Sequence, residues 1–206
     1  MAEQQIAAGE FGTWAATMRR ALQGDASADV PCDGCTACCT ASQFVHVDPD
    51  ETDALARIPR EVLFPAPGLP AGHVLMGYDE HGACPMFVDG RCSIYEHRPR
   101  ACRVYDCRIF AATGVDLAED GKAEVAARVR TWRFTYATPN DELLERSMQR
   151  AAAFLGEHPE CAGTNTSLNA TNRGVIAFEI ASLFAGNETP SVDDVRTALA
   201  ARRASP

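Results

Sequence analysis

Eight of the nine cysteines in this 206-residue chain fall between Cys32 and Cys107. They begin as Cys32-Asp-Gly-Cys35-Thr-Ala-Cys38-Cys39 and continue as Cys84, Cys92, Cys102 and Cys107 in an arginine-rich stretch. Thiols gathered in this way can bind soft or borderline metals, form disulfides or carry out redox chemistry. A Cys-x-x-Cys turn brings two sulfurs to one ion, and two such turns build a structural zinc site. Cys32, Cys35 and Cys38 make two overlapping turns, but the later cysteines are too widely spaced for a second knuckle. Cys38 and Cys39 point in different directions along most backbones, so they suit two neighbouring centres better than one ion. The Cys-x-x-Cys-x-x-Cys run also has the spacing that holds three corners of a 4Fe-4S cluster, with a distant cysteine before proline as the fourth ligand. Cys84-Pro85 could supply that ligand. Spacing therefore leaves both zinc and iron open.

The choice between ligands and disulfides rests on compartment. The first ten residues lack a basic segment followed by an apolar one, so no secretory signal is expected. No apolar run approaches the roughly 20 residues that span a bilayer. The expected location is the cytoplasm, where clustered cysteines are more often ligands than cystines. The formal charge of −9 disfavours a nucleic-acid surface and an anionic membrane. The expected partner is a metal ion, with no nucleic acid and no membrane; a protein or peptide partner stays open.

Local charge runs the other way. Arg91, Arg98, Arg100, Arg103 and Arg108 interleave with the cysteines against only Glu96 and Asp106, as if to offset a thiolate centre. Tyr95, Arg98, Arg103 and Tyr105 are candidate donors to thiolate sulfur, with Arg98 and Arg103 the stronger pair. A histidine can replace a thiolate at zinc. Of His46, His81 and His97, the last is the best-placed candidate. Cys161 stands apart and reads as a plain thiol.

Three regions must position these groups. Residues 1–29 carry an amphipathic helix over 10–23, with Phe11, Trp14, Met18 and Leu22 on one stripe, and then a polar linker from Asp25 to Val30. Residues 30–110 hold the cysteines. There Asp48-Pro49-Asp50-Glu51 predicts a helix start with Asp48 as N-cap, and Pro59 keeps that helix short. Pro65–Pro70 reads as a loop. His73–Tyr78 and Cys84–Val88 are predicted to pair as a hairpin around Asp79–Gly82, and Asp89-Gly90 marks a second tight turn. Ser93–Pro99 predicts a helical turn.

Residues 111–206 read as helical and are expected to form one compact domain with 30–110. Val125, Val129, Trp132 and Tyr136 predict a first helix there. Thr138-Pro139 opens a second, bearing Leu144, Met148, Ala151 and Leu155. A third spans about 171–184, with Ile176, Ile180 and either Phe184 or Leu183 inward. The last is capped by Ser191 and Asp194 and buries Val192, Val195 and Leu199. The fold class expected is mainly α with a small β-hairpin, the cysteine region packed against a C-terminal helical bundle.

The ordered set Cys32-x-x-Cys35-x-x-Cys38-Cys39, Cys84-Pro85-Met86-Phe87 and Gly90-Arg91-Cys92-Ser93-Ile94-Tyr95-Glu96-His97-Arg98-Pro99-Arg100-Ala101-Cys102-Arg103-Val104-Tyr105-Asp106-Cys107 resembles the YkgJ-type cysteine-cluster proteins. These are the bacterial CxxCxxCC group described as zinc- or iron-chelating. The resemblance covers about 30–110, and Asp106 replaces a proline common in that family. One branch of the group resembles flagellin lysine methylases carrying an iron–sulfur cluster. No phosphate loop, nucleophile elbow or zinc-hydrolase helix is present, so no ordinary catalytic set is visible. The leading expectation is a metal-binding protein holding zinc or iron, the iron as ions or as a 4Fe-4S cluster, through Cys32, Cys35, Cys38, Cys39, Cys84, Cys92, Cys102 and Cys107. Two alternatives stay open: a cluster-dependent enzyme modifying a protein or peptide, and a redox-sensing or scaffold module.

Overall fold

The Phe11, Trp14 and Met18 stripe is the buried face of helix α1 (Phe11–Gln23) in the computed structural model, with Leu22 only half-buried. Gly24 at φ +90° ends that helix where a Cβ-bearing residue would be strained. The structure describes residues 5–28, 30–32, 34–117, 122–163 and 168–203. Asp29 of the expected linker and Asp33 of the first cysteine run lie outside them. The fold is mainly α with small sheets, with eight α-helices among the described residues. Its internal contacts divide the chain into two units. One comprises Met1–Thr13, Cys107–Gly121 and Val129–Pro206; the other comprises Trp14–Asp106 and Lys122–Arg128.

In the first unit, strand β1 (Ile6–Glu10) pairs in parallel with β7 (Trp132–Thr135), Ile6 opposite Trp132 and Glu10 opposite Thr135. This corrects the helix predicted through Tyr136. Helix α5 (Ala123–Thr131) stops at Thr131, and the chain then extends. Residues four apart share a face in a strand as well as in a helix, so Trp132 and Tyr136 fitted either period. The Trp-Arg-Phe-Thr composition favours a strand once a partner is available. Phe11 packs edge-on against Phe134 at 5.0 Å and stacks on Tyr136 at 5.6 Å.

Helix α6 (Pro139–Glu157) packs on α4 (Arg108–Thr113) and α7 (Ala170–Ile180), and it buries Met148, Ala151 and Leu155 as the stripe predicts. Its start is the predicted one: Asp141 accepts from the Thr138 amide at 2.9 Å in a capping box. Past Ile180 the third expected helix tightens into a 3-10 turn (Ala181–Phe184) that buries Phe184 and leaves Leu183 exposed. Ser191 and Asp194 cap α8 (Val192–Arg203), which buries Val195 and Leu199.

The second unit is built on a three-stranded antiparallel sheet in the order β2 (Val45–Val47), β4 (Val74–Met76), β3 (Leu63–Pro65). Val47 and Met76 are buried with Ala54, Ile58, Met86 and Ile94 in one apolar cluster. The predicted hairpin between 73–78 and 84–88 does not form. Its turn does: Asp79 accepts from the amides of His81 and Ala83 at 2.9 and 2.8 Å. Beyond the turn the chain is drawn to the first cysteine run instead, Ser42 N donating to Gly82 O at 2.9 Å and Cys84 N to Cys39 O at 2.7 Å. Gly82 has φ +80°, and a Cβ there would strike Ser42 Oγ. The freed β4 pairs with β2 and β3, while β5 (Phe87–Val88) pairs with β6 (Arg91–Cys92).

The short helix α2 (Thr52–Leu55) starts three residues later than predicted, with Glu51 as N-cap. Glu51 does accept from the Asp48 amide at 3.0 Å, the return half of a capping box. The Asp48 carboxylate is engaged by His73 at 3.1 Å, however, so it does not cap the helix. The helical turn expected at 93–99 is a 3-10 turn (Tyr95–His97), and α3 (Arg100–Val104) follows it against β2.

Candidate metal centre

The first cysteine run curls tightly. Cys35 N donates to Cys32 O at 2.8 Å, and a 3-10 turn (Ala37–Cys39) is closed by Cys39 N on Thr36 O at 2.8 Å. Helix α5 clamps the run from one face: Arg128 donates to the carbonyls of Cys32 (2.9 Å) and Pro31 (3.2 Å), and Glu124 accepts from the Thr40 hydroxyl. Residues 124 and 128 are one helical turn apart, so both meet the run from the same side. Nothing in the cysteine spacing points to this pair, and sequence reasoning missed it.

The later cysteines arrive by three routes. Cys84 is fixed by its amide bond to the Cys39 carbonyl. Cys92 lies opposite Phe87 across the β5–β6 turn, where Asp89 and Gly90 take φ +51° and +76° as a two-residue hairpin requires. Cys102 lies in α3, its amide donating to Pro99 O at 2.9 Å. Cys84 and Cys92 both pack against the apolar cluster around Met86 and Ile94.

These thiols sense one another. The Cys39 thiol donates to the Cys38 sulfur, which pulls Cys38 down to about 7 and pushes Cys39 up. Burial pushes Cys102 up to about 12, reinforced by the charges of Cys84, Cys38 and Cys92. Burial likewise raises Cys84, and it raises Cys32, where the charges of Cys38 and Cys35 add to it. No disulfide joins any of the nine cysteines. Among the described residues of this unit, no three thiol sulfurs all lie within 4.8 Å of one another. A single ion with bonds of about 2.3 Å holds its sulfurs about 3.8 Å apart, so the loops would have to close on it.

Among the five interleaved arginines, the charge of Arg98 lowers Cys38 and Cys102. Its guanidinium lies 3.6 Å over the Tyr95 ring and its Nε donates to Tyr95 O at 2.8 Å, so Tyr95 positions Arg98. Arg128 does the same service for Cys32 from α5. Arg103 is occupied otherwise, bonding the Arg98 carbonyl and lying 3.6 Å from Glu51. Arg108 is buried in the other unit and donates to Ala8 O at 2.9 Å. Tyr105 is half-buried in extended backbone after α3.

His97 lies 3.8 Å from Asp53 and His81 3.6 Å from Glu80. Cys107 opens the other unit as the residue before α4, and Trp132 Nε1 donates to its sulfur at 3.3 Å. Asp106, in the position where the resemblance expects proline, is buried and accepts from Trp14 Nε1 at 2.9 Å. That bond ties the end of the cysteine region to α1. Cys161 is buried, and burial raises its thiol.

The donor set suits a thiophilic metal: seven thiols in one unit, at least half-buried except for Cys38, with Arg98 and Arg128 nearby to offset anionic charge. Among the described residues no helix is long and apolar enough to cross a membrane. Neither the curated proteins nor the solved structures contain a match to the chain. A family model does match. It covers residues 31–125, from the residue before Cys32 to two residues into α5, and it is the CxxCxxCC family, described as "Putative zinc- or iron-chelating domain". Residues 31–125 of this chain match the CxxCxxCC family model.

Proposed function

We propose that this protein chelates zinc or iron through the thiolates of Cys32, Cys35, Cys38, Cys39, Cys84, Cys92 and Cys102. The observation that carries the reading is the gathering of thiols from separate chain segments: the Cys84 amide bonds the Cys39 carbonyl at 2.7 Å, and Cys84 and Cys92 pack on one apolar cluster. The bond to Cys38 raises the Cys39 thiol and burial raises Cys84 and Cys102, so metal uptake displaces protons and strengthens as pH rises. Arg98 and Arg128 offset the negative charge that coordination leaves on the sulfurs. The bound metal would tie the 30–44 loop to β6 and α3, where few backbone bonds do so.

Elemental analysis with visible absorption, on protein purified without oxygen, tests the proposal. The expected result is a stoichiometric metal. A colourless protein with zinc means ions held by thiolate, and a brown one with iron and inorganic sulfide means a 4Fe-4S cluster. Purified protein that holds neither metal, and takes up neither after reduction, defeats the reading.

A further inference from the structure

We propose a second metal site, separate from the thiols, in which His46, His73 and Asp48 hold a divalent transition ion such as zinc or ferrous iron. It follows from the alternation of strand β2. Val45 and Val47 point to the apolar cluster, so His46 and Asp48 share the opposite face. In the β2–β4 ladder His46 lies opposite Leu75 and Val47 opposite Val74. The next step of that register sets Asp48 beside His73. Three ligating side chains are therefore delivered to one face by the β2–β4 pair and the step that follows it.

The geometry fits an ion. His46 Nε2 lies 3.1 Å from His73 Nδ1, and His73 Nδ1 lies 3.1 Å from Asp48 Oδ1. All three atoms fall within 4.8 Å of one another, and the imidazoles stack at 5.3 Å with their planes 9° apart. Ligands bonded at about 2.1 Å to a common ion stand about 3.0 to 3.4 Å apart, which brackets the two separations that His73 makes. Protons serve the cluster less well. His73 Nδ1 faces both His46 Nε2 and the Asp48 carboxylate, and its one proton or one lone pair can serve only one of them at a time. A cation meets all three lone pairs at once.

Two histidines and a carboxylate form a donor set used for zinc and for ferrous iron, with coordination positions left for water or substrate. The side chains of His73 and Asp48 are 23% and 32% exposed, so an ion can reach them without unfolding the sheet.

Cobalt(II) titration of the full chain is the test. Thiolate-bound cobalt gives strong sulfur-to-metal absorption, whereas cobalt held by nitrogen and oxygen gives only weak visible bands. The His46→Gln/His73→Gln double variant should bind one cobalt equivalent fewer while retaining the sulfur bands, and Asp48→Asn should weaken the weak-band site at least about tenfold. Should the double variant lose the sulfur bands too, histidine-ring NMR of the unaltered protein decides: zinc must shift the rings of His46 and His73 at the same equivalence. Equal cobalt equivalents in both proteins, or ring resonances of His46 and His73 unmoved by zinc, overturn the proposal. Missing sulfur bands in the unaltered protein would defeat the thiolate reading and leave this one standing.

Discussion

Stripping the metal is expected to abolish cooperative melting of the unit that carries the seven thiols. The apolar cluster beside the later thiols is small: Val47, Ala54, Ile58, Met76, Met86 and Ile94, with half-buried Cys84 and Cys92 against it. Between Val30 and Phe44 the described residues contain no strand and only the 3-10 turn Ala37–Cys39. A structural thiolate–metal site contributes about 10 kcal/mol or more to folding, comparable to the whole stability of a domain. Hydrogen exchange reads the effect locally. The amides of Cys35, Cys39 and Cys84, each bonded to a carbonyl of this region, should exchange at least about 100-fold faster after chelation. Amides of α6, in the other unit, should keep their protection. An unchanged melting curve in protein shown to be metal-free would contradict the expectation.

The second large effect comes from single sulfurs. Cys38→Ser, Cys84→Ser and Cys102→Ser should each weaken metal binding on the order of 100-fold, since a site worth about 10 kcal/mol divides among a few ligands. Cys161→Ser should leave metal content unchanged, because that thiol is buried in the other unit and contacts the Val192 carbonyl at 3.8 Å. Arg98 and Arg103 separate two roles. Arg98→Ala should cost about tenfold in metal affinity, as the lost charge faces Cys38 and Cys102. Arg103→Ala should lower thermal stability with little change in affinity, because its partners are the Arg98 carbonyl and Glu51. Competition titration with a chelator of known affinity measures them all. Equal losses from Cys161→Ser and Cys102→Ser would mean that folding, and not ligation, is being read.

Much of the helical architecture was legible in the sequence because its signals are local. Thr138-Pro139 with Asp141, Ser191 with Asp194, and the Phe11–Met18 stripe each specify an element within a few residues. The parallel pairing of β1 with β7 was not legible. Its strands lie some 125 residues apart in sequence, and a spacing of four between Trp132 and Tyr136 satisfies both helix and strand periods. The hairpin was misassigned because Asp79–Gly82 is a sound turn whose return segment prefers Cys39 and Ser42 to β4.

At the site, the cysteines and Arg98 could be nominated from composition, whereas Arg128 and Glu124 could not, since they arrive from a helix beyond the cysteine stretch. Asp48 was absorbed by its capping pattern, which hid the Val-His-Val-Asp alternation that lines it up with His46. His73 was seen only as the start of a strand. The sheet register makes the three one group.

X-ray absorption at the metal edge of the purified protein measures most directly what the account claims. The prediction is a shell of sulfur neighbours at about 2.3 Å, with fewer sulfurs in it in Cys102→Ser protein. A first shell of nitrogen and oxygen alone, with no sulfur in it, would contradict thiolate ligation outright.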